Sequence, residues 1–386
     1  MSPSAEGARV LISAANLRVG GGVQVAASLI DEFAKLGADE AAAARYPWLR
    51  NATFEVSTEV RSNLAGSSAD WMDLRTSSRR WSSAATWAPV RQKPYDLEFV
   101  VFGPRYGARR GTRTVVGIAD GTSVYPYPDG VPRPAFAARG RVVIRGAVSR
   151  GLFAREDVLV SESDSLAAEF CRRTRFSPKD IRIIPNAINR SVLDPDLRSS
   201  LSSDPRVSLG PDELLFVYVG RGYAHKNHQF LAPLHRALLG LGIKIRVAVT
   251  LSEDEWNAQS PQMRAVCINV GVVPVAQLAA LYESADLVIF PSLLESFSAT
   301  PLEALAANGL LAASERAFVQ EVCQSHATYF DPLDADAAAL VIRDLIHDAP
   351  RKERLREQAR EFALAWPDAA ERASRTAAVL DEVLRE

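Results

Sequence analysis

Four charged residues stand at spacings that suit one anionic, hydroxyl-rich ligand. In 290–309, FPSLLESFSATPLEALAANG, the apolar run ending at Phe290 reads as a strand and the next residues as a short loop. A helix is expected from Thr300, with Pro301 at its first position. Glu295 then lies on the loop and Glu303 in the first helical turn. Backbone amides of Phe297 to Leu302 have no intrahelical partner there, so the helix start offers donors to phosphate or sugar oxygens. A plainer reading competes for one acid, because Thr300-Pro301-Leu302-Glu303 forms a capping box in which Glu303 bonds the Thr300 amide. The cations come earlier in the chain. Residues 215–227, LFVYVGRGYAHKN, read as a buried strand running into Gly220-Arg221 and then Lys226. Cations at the carboxyl end of a strand border the crevice where α/β sheets take ligands, and arginine can grip a phosphate through two donors at once. Basic residues on a surface loop are the plain alternative.

Other stretches carry weaker signals. Gly20-Gly21-Gly22 follows a strand and opens a helix, which lets backbone approach a diphosphate closely, though it is neither G-x-G-x-x-G nor a P-loop. Asp120 follows another strand, and an Asp-Gly turn is its bland explanation. Residues 105–155 hold ten arginines against two acids. Such a surface attracts anionic lipid headgroups, a diphosphate-bearing acceptor or nucleic acid, and charge alone does not choose among them. His225 and His228 read as a surface pair, and two Asp-x-Asp pairs, at 194–196 and 334–336, read as turns or caps, so no metal site is expected. Cys171, Cys267 and Cys323 form neither a disulfide framework nor a zinc pattern, which fits a reducing compartment. The start, MSPSAEGAR, lacks an apolar h-region, and no apolar run approaches the roughly 20 residues needed to span a bilayer. A cytoplasmic protein, at most peripheral at the inner face of a membrane, is the expectation.

The elements that must position these residues alternate between short β-rich apolar runs and helical patterns, which predicts an α/β fold with parallel sheets covered on both faces. Strands are expected at Arg9–Ala15, Leu97–Phe102, Thr114–Ile118, Val158–Ser161 and Ile181–Ile184. A second series is expected at Leu214–Val219, Ile243–Thr250, Cys267–Val270, Leu287–Phe290, Gly309–Ala313 and Thr328–Phe330. A helix is expected over Val23–Leu36, and terminal helices over 351–386 with a break at Trp366-Pro367. At 386 residues the chain is too long for one ordinary core. The division predicted is an N-terminal Rossmann-like domain over 1–190, a polar linker over 191–212, a second Rossmann-like domain over 213–365, and a C-terminal helix over 366–386 packing back on the first domain, with a cleft between the domains.

The pattern Pro-Ser-x-x-Glu-x-Phe-x-x-x-x-Leu-Glu-Ala-x-Ala-x-x-Gly, preceded by Ala-Asp-Leu-Val-Ile-Phe, resembles the Glu-x7-Glu signature of family-4 glycosyltransferases with the GT-B fold. The match is specific over 215–332 and looser before it. What the resemblance implies is a retaining, metal-independent sugar transfer from a nucleotide-diphosphate sugar, with no cofactor beyond that donor. Arg221 and Lys226 would neutralise the departing diphosphate, Glu303 would hold the ribose, and Glu295 with the amides near Ser296, Phe297 and Ser298 would hold the sugar. Asn269–Val273 resembles the strand and loop that hold the nucleobase, here Gly271 and Val272, and Gly220 belongs to the strand end beside it. Gly21 and Gly22 match a glycine pair whose amides face the diphosphate and acceptor. Asp120 falls where many relatives carry a polar residue facing the donor sugar, and is counted with the catalytic group. Ser298 and Ala187 depart from the pattern, standing where glycine is commoner. The partners implied are a nucleotide-sugar donor and a glycan or lipid-linked acceptor of bacterial surface polysaccharide or glycolipid synthesis. Peripheral membrane contact through 105–155 is compatible with this, and nucleic acid is not implied. A GT-B-like sugar-nucleotide epimerase and a non-catalytic glycan- or nucleotide-binding protein are the competing readings.

Overall fold

The computed structural model describes residues 7–64, 71–77, 95–106, 111–119, 121–125, 129–131, 136–189, 192 and 209–386. Asp120 and most of the 191–212 segment lie outside them. Backbone proximity divides the chain into two compact units, one of Met1–Pro126, Phe136–Asn186 and Pro367–Glu386, the other of Tyr127–Ala135 and Ala187–Trp366.

The first unit holds a seven-stranded sheet of order β3-β2-β1-β4-β5-β6-β7. Its strands are β1 Val10–Ala14, β2 Thr53–Val56, β3 Asp73–Thr76, β4 Leu97–Val100, β5 Arg113–Ile118, β6 Val158–Ser161 and β7 Ile181–Ile183. Every pairing is parallel. Parallel strands are buried on both faces, so the central ones are continuous apolar runs rather than alternating ones. Val115 of β5 joins the core that contains Phe33, Phe54 and Trp48, while Val116 and Ile118 join the core on the other face with Phe153 and Phe170. The helix Ala369–Arg385 belongs to this unit. Asp368 caps it through the Glu371 amide at 2.8 Å, and its apolar line of Ala373, Ala377, Leu380 and Leu384 enters the first core. Arg372 on the same helix is buried beside Glu162, which follows β6. Burial raises the Glu162 carboxyl to about 7 and lowers the Arg372 guanidinium to about 10.

The second unit holds a six-stranded parallel sheet of order β10-β9-β8-β11-β12-β13. The strands are β8 Glu213–Tyr218, β9 Lys244–Val249, β10 Cys267–Asn269, β11 Leu287–Phe290, β12 Leu311–Ser314 and β13 Thr328–Phe330. One core runs through this unit and includes Phe216, Phe290, Leu302 and Ile342. The order places β8 and β11 side by side at the centre of the sheet, so the loops that follow them are neighbours.

The α/β class and both strand series expected from the sequence are present. Two strands were not anticipated, β2 and β3. The terminal helices are Ala349–Leu364 and Ala369–Arg385, with the break at Trp366-Pro367.

Candidate functional site

The loops that leave β8 and β11 are fastened together by polar contacts. After β8 the chain forms a single 3-10 turn, Ala224–Lys226, and Asn227 takes the left-handed conformation at φ 58°. The Asn227 amide group donates to the carbonyls of Pro291, at 3.3 Å, and Pro332, at 3.0 Å. The His225 carbonyl accepts from the Leu293 amide at 2.8 Å, with Ser292 Oγ 3.2 Å away. From below, the Tyr218 hydroxyl donates to the Lys226 carbonyl at 2.7 Å.

These contacts bring Lys226 and Glu295 together. Lys226 Nζ lies 2.6 Å from Glu295 Oε1, each side chain being only 12% exposed, and Ser292 Oγ donates to the same oxygen at 2.6 Å. The Lys226 ammonium also sits 5.7 Å from the centre of the Phe290 ring. A nearly buried ion pair persists only where hydrogen bonds and packing offset desolvation, and here both are present.

Arg221 is not part of this pair. Its guanidinium Nε meets Glu255 Oε1 at 2.7 Å, with Arg221 52% exposed and Glu255 16%. Glu303 is also apart from it. The helix over this stretch is Ala299–Ala306 with Ser298 at its N-cap, so it starts earlier than expected and Glu303 is its fifth residue. The competing capping-box reading is therefore not met, and Pro301 sits at the third helical position, where no intrahelical donor is needed. Glu303 is buried instead. Burial raises its carboxyl to about 7, opposed by the neighbouring Tyr282 hydroxyl. That hydroxyl is itself buried and closes no hydrogen bond of ordinary geometry. The Ser298 side chain makes no cap bond to the first amides of the helix.

The remaining candidates are dispersed along the same edge or lie in the other unit. Gly271 is left-handed, at φ 75°, and its amide donates to Asn269 Oδ1 at 3.2 Å. Asn269 exchanges two further hydrogen bonds with Leu251, tying the ends of β9 and β10. Val272, just beyond, is exposed. The Gly220 amide donates to Thr250 Oγ1 at 3.2 Å. Phe297 is buried, its ring centre 6.3 Å from that of Trp366, and Ser296 is half-buried. Ser298 has φ −131°, ordinary extended backbone, which explains why a serine is tolerated there. Ala187 is not among the residues with positive φ either. Gly21 and Gly22 belong to the seven-stranded unit, at the start of the helix Gly21–Ala38, behind Gly20 at φ 77°. A Cβ at Gly21 would meet nothing within 4 Å, and one at Gly22 would make only ordinary contacts. Packing among the described residues thus requires glycine at neither position.

Two readings need correction. His225 and His228 are not a surface pair. His225 is half-buried, and His228 is 3% exposed with its ring 4.6 Å from that of Tyr218, burial holding its imidazole down at about 4. Arg105 is not part of a basic surface, because it lies nearly buried against Glu156, with Nε 2.9 Å from Oε2. Asp334 is the N-cap of the helix Ala335–His347, as a cap reading has it, whereas 194–196 lies outside the described residues. Glu255 was missed altogether. Its signal was the Ser252-x-x-Glu255 capping box, which is present.

Comparison with known proteins bears on this geometry. Residues 203–362 match the family model described as "Glycosyl transferases group 1". The chain is 29% identical over 234 residues to glycogen synthase of Mycobacterium tuberculosis (strain ATCC 25618 / H37Rv), covering 56% of this chain and 54% of that one. It is 28% identical over 168 residues to D-inositol 3-phosphate glycosyltransferase of Segniliparus rotundus, covering 39% and 37%. The chain thus spans about half the length, or less, of these curated relatives. Among solved structures it resembles Anabaena Alr3699/HepE in complex with UDP-glucose, with TM-score 0.70, 13% identity, and coverage of 97% and 100%. It also resembles WaaG, a glycosyltransferase involved in lipopolysaccharide biosynthesis, with TM-score 0.61, 16% identity, and coverage of 96% and 99%. With the two parallel sheets, these likenesses show the GT-B fold.

Proposed function

We propose that the chain is a family-4 glycosyltransferase. It moves a sugar from a nucleoside-diphosphate donor to a glycan or lipid-linked acceptor, with retention of configuration and without a metal or other cofactor. The observation that carries this is the nearly buried Lys226–Glu295 pair, with Nζ 2.6 Å from Oε1, at the carboxyl edge of the six-stranded sheet beside a helix start that lacks a side-chain cap. The match of residues 203–362 to the group 1 transferases supports the same reading.

In this account the bond from the sugar's anomeric carbon to the diphosphate oxygen breaks, and a bond to the acceptor oxygen forms on the same face. The leaving phosphate oxygen takes the acceptor's proton. Lys226 and Arg221 stabilise the charge that grows on the diphosphate, Glu295 and the amides around Ser296–Ser298 hold the sugar hydroxyls, and Glu303 accepts from the ribose. The test is incubation with UDP-, GDP- and ADP-sugars and a panel of glycan and lipid-linked acceptors, with the product's anomeric coupling read by NMR and EDTA present in a parallel arm. The reading requires nucleoside diphosphate release coupled to a retained linkage in both arms. Sugar-nucleotide interconversion without transfer contradicts it.

Membrane contact belongs to this proposal and rests on the helix Phe136–Phe153. That helix contains no acidic residue, and Ile144 and Val148, one turn apart on its outer line, are exposed together with Val143. Arg141 and Arg145, exposed beside them, have no partner among the described residues. An apolar outer line flanked by cations suits an anionic lipid surface at the cytoplasmic face. Ile144→Asp should abolish co-sedimentation with vesicles containing phosphatidylglycerol, and equal sedimentation of wild type and variant contradicts the contact.

A further inference from the structure

The turn that leaves β8 is held against the helix that follows β9 by one carboxylate. Glu255 lies in the helix Glu253–Asn257, where it closes a capping box. Its amide donates to Ser252 Oγ at 3.3 Å, and its Oε2 accepts from the Ser252 amide at 3.1 Å. Its other oxygen, Oε1, accepts both Arg221 Nε, at 2.7 Å, and the Gly222 amide, at 3.1 Å. The Glu255 stem lies so close to the turn that a Cβ at Gly222 would stand 2.9 Å from Glu255 Cβ and 3.1 Å from Cγ. Glycine at 222 is what permits this approach. Partial burial opposes the negative charge, and the hydrogen bonds from Arg221 and the two amides overcome it, holding the carboxyl down at about 2. Glu255 is therefore an anion at any working pH.

The grip uses only one edge of the guanidinium. Arg221 Nε is taken, while Nη1 and Nη2 make no hydrogen bond or ion pair among the described residues, and the side chain is half in solvent. An arginine held by Nε keeps a pair of parallel donors with the geometry a phosphate oxygen pair needs, and holding it beforehand removes rotamer freedom that binding would otherwise have to remove.

We propose that Glu255 is a positioning residue for the donor diphosphate: it fixes Arg221 through Nε and docks Gly222, so that the Nη1/Nη2 edge is presented to the diphosphate. The inference rests on the transferase reading, in which Arg221 meets that group.

The experiment is calorimetric titration of UDP, GDP and ADP into the wild type and four variants, Glu255→Gln, Ser252→Ala, Arg221→Ala and the Arg221→Ala/Glu255→Gln double, with melting temperatures measured in parallel. Glutamine has a single acceptor oxygen, so it keeps the bond from the Ser252 amide or the one from the Gly222 amide but not both; a purely structural role therefore shows as a lower melting temperature with nucleotide affinity unchanged, and Ser252→Ala calibrates the share of the cap. The expected result is a dissociation constant weakened about fivefold to tenfold in Glu255→Gln, the size of an ordinary hydrogen bond, because Arg221 itself remains. No further loss is expected when that change is added to Arg221→Ala. Ser252→Ala should melt earlier yet bind as the wild type does. Unchanged or tighter binding by Glu255→Gln, or an equal loss in the Arg221→Ala background, overturns the positioning role. If Arg221→Ala alone binds as the wild type does, the diphosphate role of Arg221 falls, and if no nucleotide binds the wild type, the transferase reading falls with it.

Discussion

Two ion pairs stand at the carboxyl edge of the six-stranded sheet, and they are built in opposite ways. Lys226–Glu295 is nearly buried and is fixed by Ser292, Asn227 and the His225 carbonyl, all from loops that neighbouring strands bring together. Arg221–Glu255 is half in solvent, and its rigidity comes from one glutamate that also caps a helix. The first pair is part of the unit's packing, so its loss should damage fold and function together. The second is a surface device whose loss should damage function with little effect on the fold. Buried and exposed charge differ in this way because water screens and solvates the exposed pair, while a buried charge left alone has no substitute for its partner.

The largest effect expected from breaking the comparison is that of Lys226→Ala. It leaves Glu295 nearly buried without its cation, so a stability loss of about 3 kcal/mol in denaturant unfolding should accompany a fall in kcat on the order of 10²–10³. Arg221→Ala comes next. Its kcat should drop about tenfold to a hundredfold while stability stays within about 0.5 kcal/mol of wild type, and a larger stability loss would erase the distinction between the pairs.

Glu303 supplies a third, sharper case, an acid buried with no cation beside it. Its carboxyl is raised to about 7 by burial, so the stability it contributes is fully present below the ordinary carboxylate range and is lost as pH rises through about 7. Melting curves between pH 4.5 and 8 should therefore fall less for Glu303→Gln than for wild type. Glu162, raised similarly, acts in both proteins and cancels in the difference. Parallel pH curves for the two proteins would contradict that assignment. The smallest effect is ionic. Raising salt from about 0.05 to 0.5 M shortens the Debye length to roughly 4 Å, and the nucleotide-affinity gap between wild type and Arg221→Ala should narrow while that of Lys226→Ala holds.

How much of this was readable in the sequence follows the same division between local and tertiary causes. Strands such as Val158–Ser161 and Leu287–Phe290 were legible because parallel strands buried on both faces must be unbroken apolar runs. β3, Asp-Leu-Arg-Thr at the sheet edge, was not, because an exposed edge strand of four residues needs no apolar pattern. β2 is equally short and follows a 3-10 turn, Pro47–Asn51, that hides its start. Lys226 and Glu295 could be named from motif spacing, but not their contact, which depends on β8 lying next to β11. The Thr300–Glu303 capping box failed because the helix begins earlier, at Ala299 with Ser298 at its N-cap, which makes Glu303 its fifth residue. Glu255 was legible only as a cap. Its second role joins residues 34 apart in the chain through a glycine whose necessity appears only once the turn is folded against the helix.

The account stands most directly on whether Lys226 meets a nucleoside diphosphate. Thermal unfolding of wild type and Lys226→Ala with saturating UDP, GDP or ADP tests it, since a ligand at about 100 times its dissociation constant adds roughly 2.7 kcal/mol. One of the three should raise the wild-type transition by that amount and lose most of its effect in Lys226→Ala. An equal rise in both proteins, or none in the wild type, contradicts the account.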